Sequence, residues 1–339
     1  MVTNTSSAVP HTAGAPLPEW LTSGIRYLGV ASGLLAIVFV INNFLIFGFG
    51  LPGPWNIITG SESSGLGFAQ CALVLAAILY PAWQERSGGS LRSDSARLNG
   101  IAEYLIRLAF WSVFFIGIAD AVISFLRVED IHKVLFGSEI ATSLGMSNLR
   151  GTYVHIPLML VGAVVAARER SISIVWLALL VVIAELLIVL ARFVFAYEQT
   201  FMGDLVRFWY AALFLFASAY TLKEDAHVRV DVFYASFTRR TRSLLNVTGT
   251  VAFGLPLCWL ILARGMWEKT SLINSPMFNF ETSMSGFGMY VKYLMAAFLI
   301  VFALSMLFQF TATLFSALAD IDENVEDDPA QDTGVGGLS

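Results

Sequence analysis

Long apolar stretches separated by short polar segments make up most of the chain. A helix that crosses the hydrocarbon core of a bilayer needs about 20 apolar residues, and this length selects eight stretches. They are residues 27–49, 63–83, 101–126, 151–167, 171–195, 208–222, 243–263 and 291–319. The sixth is short, so we expect it to begin nearer Asp204. The pattern predicts an all-α integral membrane protein with about eight transmembrane helices.

Two spans carry residues that affect how helices pack. Gly29 and Gly33 lie about one turn apart in the first span, where small residues let another helix approach closely. Pro256 lies inside the seventh span, where it removes a backbone hydrogen bond and is expected to kink the helix.

The composition agrees with a membrane protein. Hydrophobic residues make up 57% of the chain and charged residues 13%, against about 25% charged in a typical soluble domain. Nothing in this composition indicates nucleic-acid binding. The two cysteines, Cys71 and Cys258, lie in apolar spans, so neither a disulfide framework nor a thiolate metal site is expected. We expect no cofactor in this chain.

Lys and Arg residues are concentrated in alternate loops. Three lie in loop 84–100, two in loop 168–170 and five in loop 223–242. Because Lys and Arg in short loops stay on the cytoplasmic side during insertion, this distribution predicts that both ends of the chain are cytoplasmic. Residues 1–22 are expected to form a disordered cytoplasmic leader, and the acidic residues 320–339 a disordered tail.

The most highly charged loop, 223–242, reads KEDAHVRVDVFYASFTRRTR. Within it, Val230, Phe233, Tyr234 and Phe237 fall at i, i+3, i+4 and i+7 and so form one face of a helix. This spacing suits an amphipathic arm helix over residues 227–242, lying at the membrane interface with its basic groups toward anionic lipid. An ordinary cytoplasmic loop with excess positive charge explains the same composition.

Part of this loop, with the end of the span before it, resembles a known family. Residues 219–231 read AYTLKEDAHVRVD, and a basic cluster and another span follow. This order resembles the signature of the small membrane (Q) subunit of TRAP transporters, the tripartite ATP-independent periplasmic systems for organic acids. The resemblance covers residues 171–319 and implies a four-helix core there. Residues 23–170 would then be a four-helix amino-terminal extension, which the family usually lacks.

The resemblance implies the small subunit of a secondary transporter in a bacterial inner membrane. A large subunit would move an organic acid by an elevator-like motion coupled to sodium, and a periplasmic protein would deliver the acid. The small subunit would anchor the complex as a fixed scaffold, without a catalytic group. Its candidate contacts to lipid or to the partner are Lys223, Arg229, Asp231, Arg239, Arg240 and Arg242. The outer loop 198–207 departs from the family, whose more usual pattern is Trp with paired acids.

Two carboxylates lie deep in the predicted spans, Asp120 in the third and Glu185 in the fifth. Each is followed seven residues later by an arginine, Arg127 or Arg192, and two helical turns place acid and base on one face. An acidic residue near a helix centre costs about 2.5 to 3.5 kcal/mol on insertion scales, so each carboxylate is expected to have a partner. Transporter sites are typically built at broken helices, so these unbroken spans favour structural contacts over an ion or proton site.

Two other classes of function are consistent with the residues. A stand-alone channel or carrier would need Asp120 and Glu185 to line an aqueous path. A membrane redox subunit or enzyme would need a cofactor, but His155 is the only histidine in a span, and no hydrolase motif occurs. We therefore expect no enzyme activity. The paired acid and arginine pattern also suggests that residues 101–176 are a degenerate repeat of residues 171–233.

Overall fold

The computed structural model describes residues 17–60, 65–86, 88–170, 175–223, 234, 237–283 and 288–322. These residues form helices and no strand. In chain order the helices are α1 (Glu19–Phe49), α2 (Pro54–Ile58), α3 (Gly65–Arg86), α4 (Leu91–Val128), α5 (His132–Leu144), α6 (Ser147–Arg168), α7 (Val175–Phe195), α8 (Thr200–Lys223), α9 (Arg239–Met266), α10 (Asn274–Phe278) and α11 (Lys292–Asp322). All except α2, α5 and α10 are long and apolar enough to cross a membrane. The predicted class, an all-α membrane protein with eight spans, is confirmed.

The last helix, α11, lies at the centre of the bundle. It packs against α1, α4, α8, α9 and α10, and half of its most apolar stretch is buried. Leu307, Leu314 and Leu318 are fully buried along it. One apolar core joins α11 to α1 and α9, and a second joins the start of α11 to α4, α7 and α8. The helices before residue 171 therefore share their core with the helices after it.

Close approach between α1 and α11 depends on the two glycines in the first span. A Cβ atom on Gly29 would lie 2.7 Å from the Thr311 side chain, and one on Gly33 would lie 2.8 Å from the Phe308 ring. Neither distance leaves room for a methyl group. Gly29 and Gly33 thus admit the α11 side chains against the α1 backbone, as the sequence predicted.

Two helices contain one π turn each. Residues Gly151–His155 form such a turn in α6, and Thr250–Gly254 form one in α9. Each turn ends two residues before a proline, Pro157 or Pro256, whose ring would clash with the carbonyl four residues earlier in a regular α-helix. The wider turn relieves that clash without ending the helix. The interruption predicted at Pro256 therefore takes the form of a π turn.

The two ends of the described chain lie at the same end of the bundle. Arg26 near the start of α1 pairs with Asp94 near the start of α4, with Nε 2.9 Å from Oδ2. Arg92 Nη2 also lies 2.9 Å from Oδ1 of Asp320 at the end of α11. We call this end, where α1 begins and α11 ends, the terminal face, and the other end the opposite face.

Substituting Gly33 by alanine tests the packing of α1 on α11. We expect Gly33→Ala to destabilise the fold by about 1 to 3 kcal/mol, because the new methyl group meets the Phe308 ring. Gly24→Ala is the matched control in the same helix, since a Cβ there would meet nothing within 4 Å. Thermal unfolding of the purified variants in detergent measures both effects. Equal midpoints for the two variants would show that this contact is not tight.

Candidate functional site

Asp120 in α4 forms a fully buried cluster with two residues of α6, Arg150 and His155. Arg150 Nη1 donates to Asp120 Oδ1 at 2.9 Å, and His155 Nε2 lies 3.1 Å from the same oxygen. Because a carboxylate accepts, His155 Nε2 donates to Asp120, and His155 Nδ1 shares a hydrogen bond of 2.7 Å with the Tyr293 hydroxyl. The cluster therefore ties α4 and α6 to the first turn of α11.

A second carboxylate, Asp204 of α8, also accepts a backbone hydrogen bond at the opposite face. The backbone amide of Met289 donates to Asp204 Oδ2 at 3.1 Å, and the amide of Tyr290 donates to Asp120 Oδ2 at 2.7 Å. These consecutive amides lie just before α11. Two carboxylates close to the start of a helix also complement the positive end of its dipole. The start of α11 is thus held between α4 and α8.

We call Asp120 and Asp204, with the two amides that they accept, the clamp on α11. Tyr290 connects this clamp to two arginines. The guanidinium carbons of Arg150 and Arg127 lie 4.1 Å and 4.6 Å from the centre of its ring. Arg127 also donates to the Gly288 carbonyl at 2.8 Å and to the Tyr290 hydroxyl. Arg150 Nε donates to the Leu144 carbonyl at 2.8 Å. The buried Arg150 and the half-buried Arg127 are therefore both held against Tyr290.

The hydrogen bonds of Asp120 are all made within the chain. Both of its oxygens accept from protein groups, namely Arg150 and His155 on Oδ1 and the Tyr290 amide on Oδ2. Within the described part of the chain, no group of three or more His, Cys, Asp and Glu side chains could hold a metal ion. Arg127, two turns along α4 from Asp120, contacts Gly288 and Tyr290, and the arginine that pairs with Asp120 is Arg150 of α6.

Arg150 is the residue of this cluster that sequence reasoning missed. It lies just before the predicted span 151–167. The available signal was its position five residues before His155 in α6, which places two polar side chains near the end of an apolar helix. Nothing in the sequence pairs either with Asp120, because the contact crosses a helical hairpin.

Glu185 and Arg192 do not join the cluster. Both are exposed on α7, and Arg192 Nε lies 3.4 Å from Oε2 of the exposed Glu198. Among the described residues none hydrogen-bonds or ion-pairs with Glu185. Asp120 and Glu185 therefore occupy different environments, although the sequence pattern around them is alike. The repeat suggested by that pattern stays a hypothesis.

Near these residues, the loop between α7 and α8 contacts the end of α4. The Tyr197 hydroxyl donates to Glu129 Oε1 at 2.8 Å. Burial and this hydrogen bond to Glu129 raise the pKa of Tyr197 to about 12. The phenol therefore remains a donor at physiological pH, and the contact persists.

The terminal face carries the candidate contact residues that the structure describes. The Nζ atom of Lys223, at the end of α8, lies 2.7 Å from Oε1 of Glu103 in α4. The Nη2 atom of Arg239, at the start of α9, lies 3.3 Å from Oδ1 of Asp320, which also pairs with Arg92. Each of these pairs is at least partly exposed. The face is therefore charged and water-accessible, unlike the cluster around Asp120.

Residues 239–242 form the first turn of α9, not part of a separate arm. The Thr238 hydroxyl caps this helix by accepting from the Thr241 amide at 3.3 Å, and Arg240 lies half-buried in the same turn. Arg242 Nε donates to the carbonyls of Tyr234 and Phe237, at 3.1 Å and 3.0 Å. The arm predicted over 227–242 is therefore too long at its carboxyl end, because the Thr238 cap starts the spanning helix. Arg229 and Asp231 lie outside the described residues.

A model of one protein family matches the carboxyl-terminal part of the chain. The family is "Tripartite ATP-independent periplasmic transporters, DctQ component", and the match covers residues 178–320. The chain carries a DctQ domain. Searches of curated proteins and of solved structures found no match. The resemblance seen in the sequence is confirmed over nearly the same residues.

The match at residues 178–320 supports a DctQ-like small membrane subunit of a TRAP transporter, in keeping with the eight helices that are long and apolar enough to cross a membrane. DctQ proteins are transporter components and not an enzyme family, and they work with a large membrane subunit and a periplasmic binding protein. In this chain the DctQ domain runs from α7 to α11, and α1 to α6 lie before it. Asp120 and Arg150 belong to these preceding helices, so the clamp on α11 joins them to the DctQ domain.

Removing the charge of Asp120 tests whether the cluster supports the fold. We expect Asp120→Asn to destabilise the protein by about 3 to 5 kcal/mol, because Arg150 stays buried with no counterion. Adding Arg150→Gln should recover part of the loss. Glu103→Gln weakens two partly exposed contacts, to Lys223 and to Arg107, and should cost less than about 1 kcal/mol. Unfolding midpoints of the unmodified protein, Asp120→Asn, Arg150→Gln, the double variant and Glu103→Gln give the comparison. Independent, additive losses for Asp120 and Arg150 would contradict the pairing.

Proposed function

We propose that the chain is the fixed scaffold subunit of a TRAP transporter. It supports a large elevator-type subunit that takes up an organic acid coupled to sodium, after a periplasmic protein has delivered the acid. The observation that carries the proposal is the DctQ domain at residues 178–320. The substrate and sodium sites belong to the partner subunit, and this chain also contacts membrane lipid.

The packing of the bundle supports a scaffold role. An elevator domain needs a part of the complex that does not move with it. Here α11 is packed between α1, α4, α8 and α9, and its start is clamped by Asp120 and Asp204. Helices packed in this way resist displacement, because their cores are close-packed. The chain thus has the properties of one rigid body.

The positions of the carboxylates give no support to a stand-alone carrier. Asp120 is fully buried with all its oxygens engaged, while Glu185 lies on the outer surface of α7. A cleft of about 480 Å³ lies between α1, α2, α3 and α9, but neither carboxylate lines it. Its lining is mainly apolar, with Asn42 and Asn43 as its amides. An aqueous path through both carboxylates has no counterpart in this arrangement.

We further propose that the terminal face is cytoplasmic, so that both ends of the chain lie inside. The supporting observation is that Lys223, Arg239 and Arg92 gather at this face. Basic residues in short loops favour the cytoplasmic side, and they suit the anionic lipid of that leaflet.

Affinity purification of the tagged chain from its native membrane, followed by mass spectrometry, tests the proposed function. We expect a large polytopic TRAP subunit to copurify in a mild detergent. Uptake of the acid into vesicles should then require this chain together with the large subunit and the binding protein. Transport by this chain alone, or its recovery without any TRAP subunit, would contradict the proposal.

The basic residues near the start of α9 give a second test. We expect the combined variant Arg229→Gln, Arg239→Gln, Arg240→Gln and Arg242→Gln to weaken assembly or disturb insertion, because it removes four positive charges next to the membrane. The matched control is Arg168→Gln with Arg170→Gln, in another loop with the same predicted orientation. The amount of large subunit copurified, and the accessibility of a tag at each end, report the two effects. Unchanged assembly and uptake would exclude these arginines as contacts.

A further inference from the structure

Glu185 occupies an unusual position for an ionisable group in a membrane protein. It is the central residue of α7, which runs from Val175 to Phe195, so it lies near the middle of the hydrocarbon layer. Its side chain is exposed, and none of the described residues forms a hydrogen bond or ion pair with it. A carboxylate in contact with acyl chains is costly, since lipid tails offer no hydrogen-bond donor.

The helix that carries Glu185 lies at the edge of the bundle. Only 11% of the α7 span is buried, against 50% of the α11 span. Leu177 and Ala184 are its buried residues, and they face α8, the helix on which α7 packs. The rest of α7 presents large apolar side chains to the outside, as a helix does when it meets lipid or another membrane protein.

Glu185 lies on one stripe of that outer surface. Val182 and Val189 fall at i−3 and i+4 from it, on the same side of the helix, and are 62% and 48% exposed. Ile183 and Leu187 are also exposed but lie on nearly the opposite side. The stripe therefore consists of valines around one central carboxylate, an apolar surface with one polar group.

The charge distinguishes between possible occupants of the stripe. Two copies of this chain inserted in the same direction would be related by an axis along the membrane normal. A symmetric dimer through the stripe would then bring the two Glu185 side chains together at equal depth. Two carboxylates so placed repel each other, whereas a helix with a donor side chain at that depth would satisfy Glu185.

We infer that the Glu185 stripe is the docking surface for a transmembrane helix of the large TRAP subunit. That helix carries a side chain that donates hydrogen bonds, such as a basic group, at the depth of Glu185. The inference rests on the proposed function, because it takes the large subunit as the partner. Glu185 then serves assembly and not transport, since it lies on the outside of the scaffold.

Substitutions at Glu185 separate assembly from folding. Glu185→Leu should leave the unfolding midpoint of the isolated chain unchanged or raised, because Glu185 contacts no described partner. The same variant should reduce copurified large subunit by about tenfold, the effect of losing one charged hydrogen bond. Glu185→Gln should reduce the copurified large subunit by less, since its amide oxygen still accepts a hydrogen bond. Leu187→Ala, on the far side of α7, is the control and should assemble normally.

Photo-crosslinking in native membranes locates the contact. A benzoylphenylalanine at position 182 or 189 should crosslink to the large subunit, identified by mass spectrometry, and one at 183 or 187 should not. If the large subunit copurifies but crosslinks only from other helices, or if Glu185→Leu assembles fully, the inference is wrong and the proposed function stands. Crosslinks from 182 to a second copy would also overturn the inference. If no TRAP subunit copurifies with the unmodified chain, the proposed function fails and the inference fails with it.

Discussion

The fold depends on how the start of α11 is held at the opposite face. Two carboxylates, Asp120 of α4 and Asp204 of α8, accept the consecutive backbone amides of Met289 and Tyr290. Those amides precede the helix around which the other spans pack. Amides before a helix have no partner within it, and in a membrane protein they have little water to replace one. The clamp supplies that partner and fixes where α11 enters the bundle.

This arrangement explains why the helices before the DctQ domain are not a separate unit. Asp120 is buried, and a buried carboxylate is tolerated only with a counterion and hydrogen bonds. Arg150 and His155 of α6 provide the counterion and the hydrogen bond. Without α6, Asp120 of α4 would lose these partners, and without α4, Arg150 would lose its counterion. The apolar contacts of α4 with α8 and α11 also hold the two parts of the chain together. The DctQ domain and the six helices before it are therefore parts of one folded body.

The number and class of the spans could be predicted from the sequence, because hydrophobic length alone decides them. The family could be recognised as well, from residues 219–231. Burial could not be predicted, because the inner and outer faces of a membrane helix are both apolar. Asp120 and Glu185 each lie in a long apolar run, seven residues before an arginine, yet one is fully buried and the other exposed. Sequence reasoning treated them as equivalent, and only the packing of α4 and α7 separates them.

The different positions of these two carboxylates fit the two requirements of a scaffold. A scaffold must keep its own shape, and it must hold on to a partner that moves. Asp120 meets the first requirement inside the bundle, where every bond it makes is to its own chain. Glu185 has no such bond among the described residues and lies on the least buried span. A carboxylate on the outer surface of a membrane helix lacks a hydrogen-bond donor, and another protein can supply that donor. The same kind of side chain thus contacts its own chain in the interior at Asp120 and, under the inference drawn above, contacts a neighbouring subunit at Glu185.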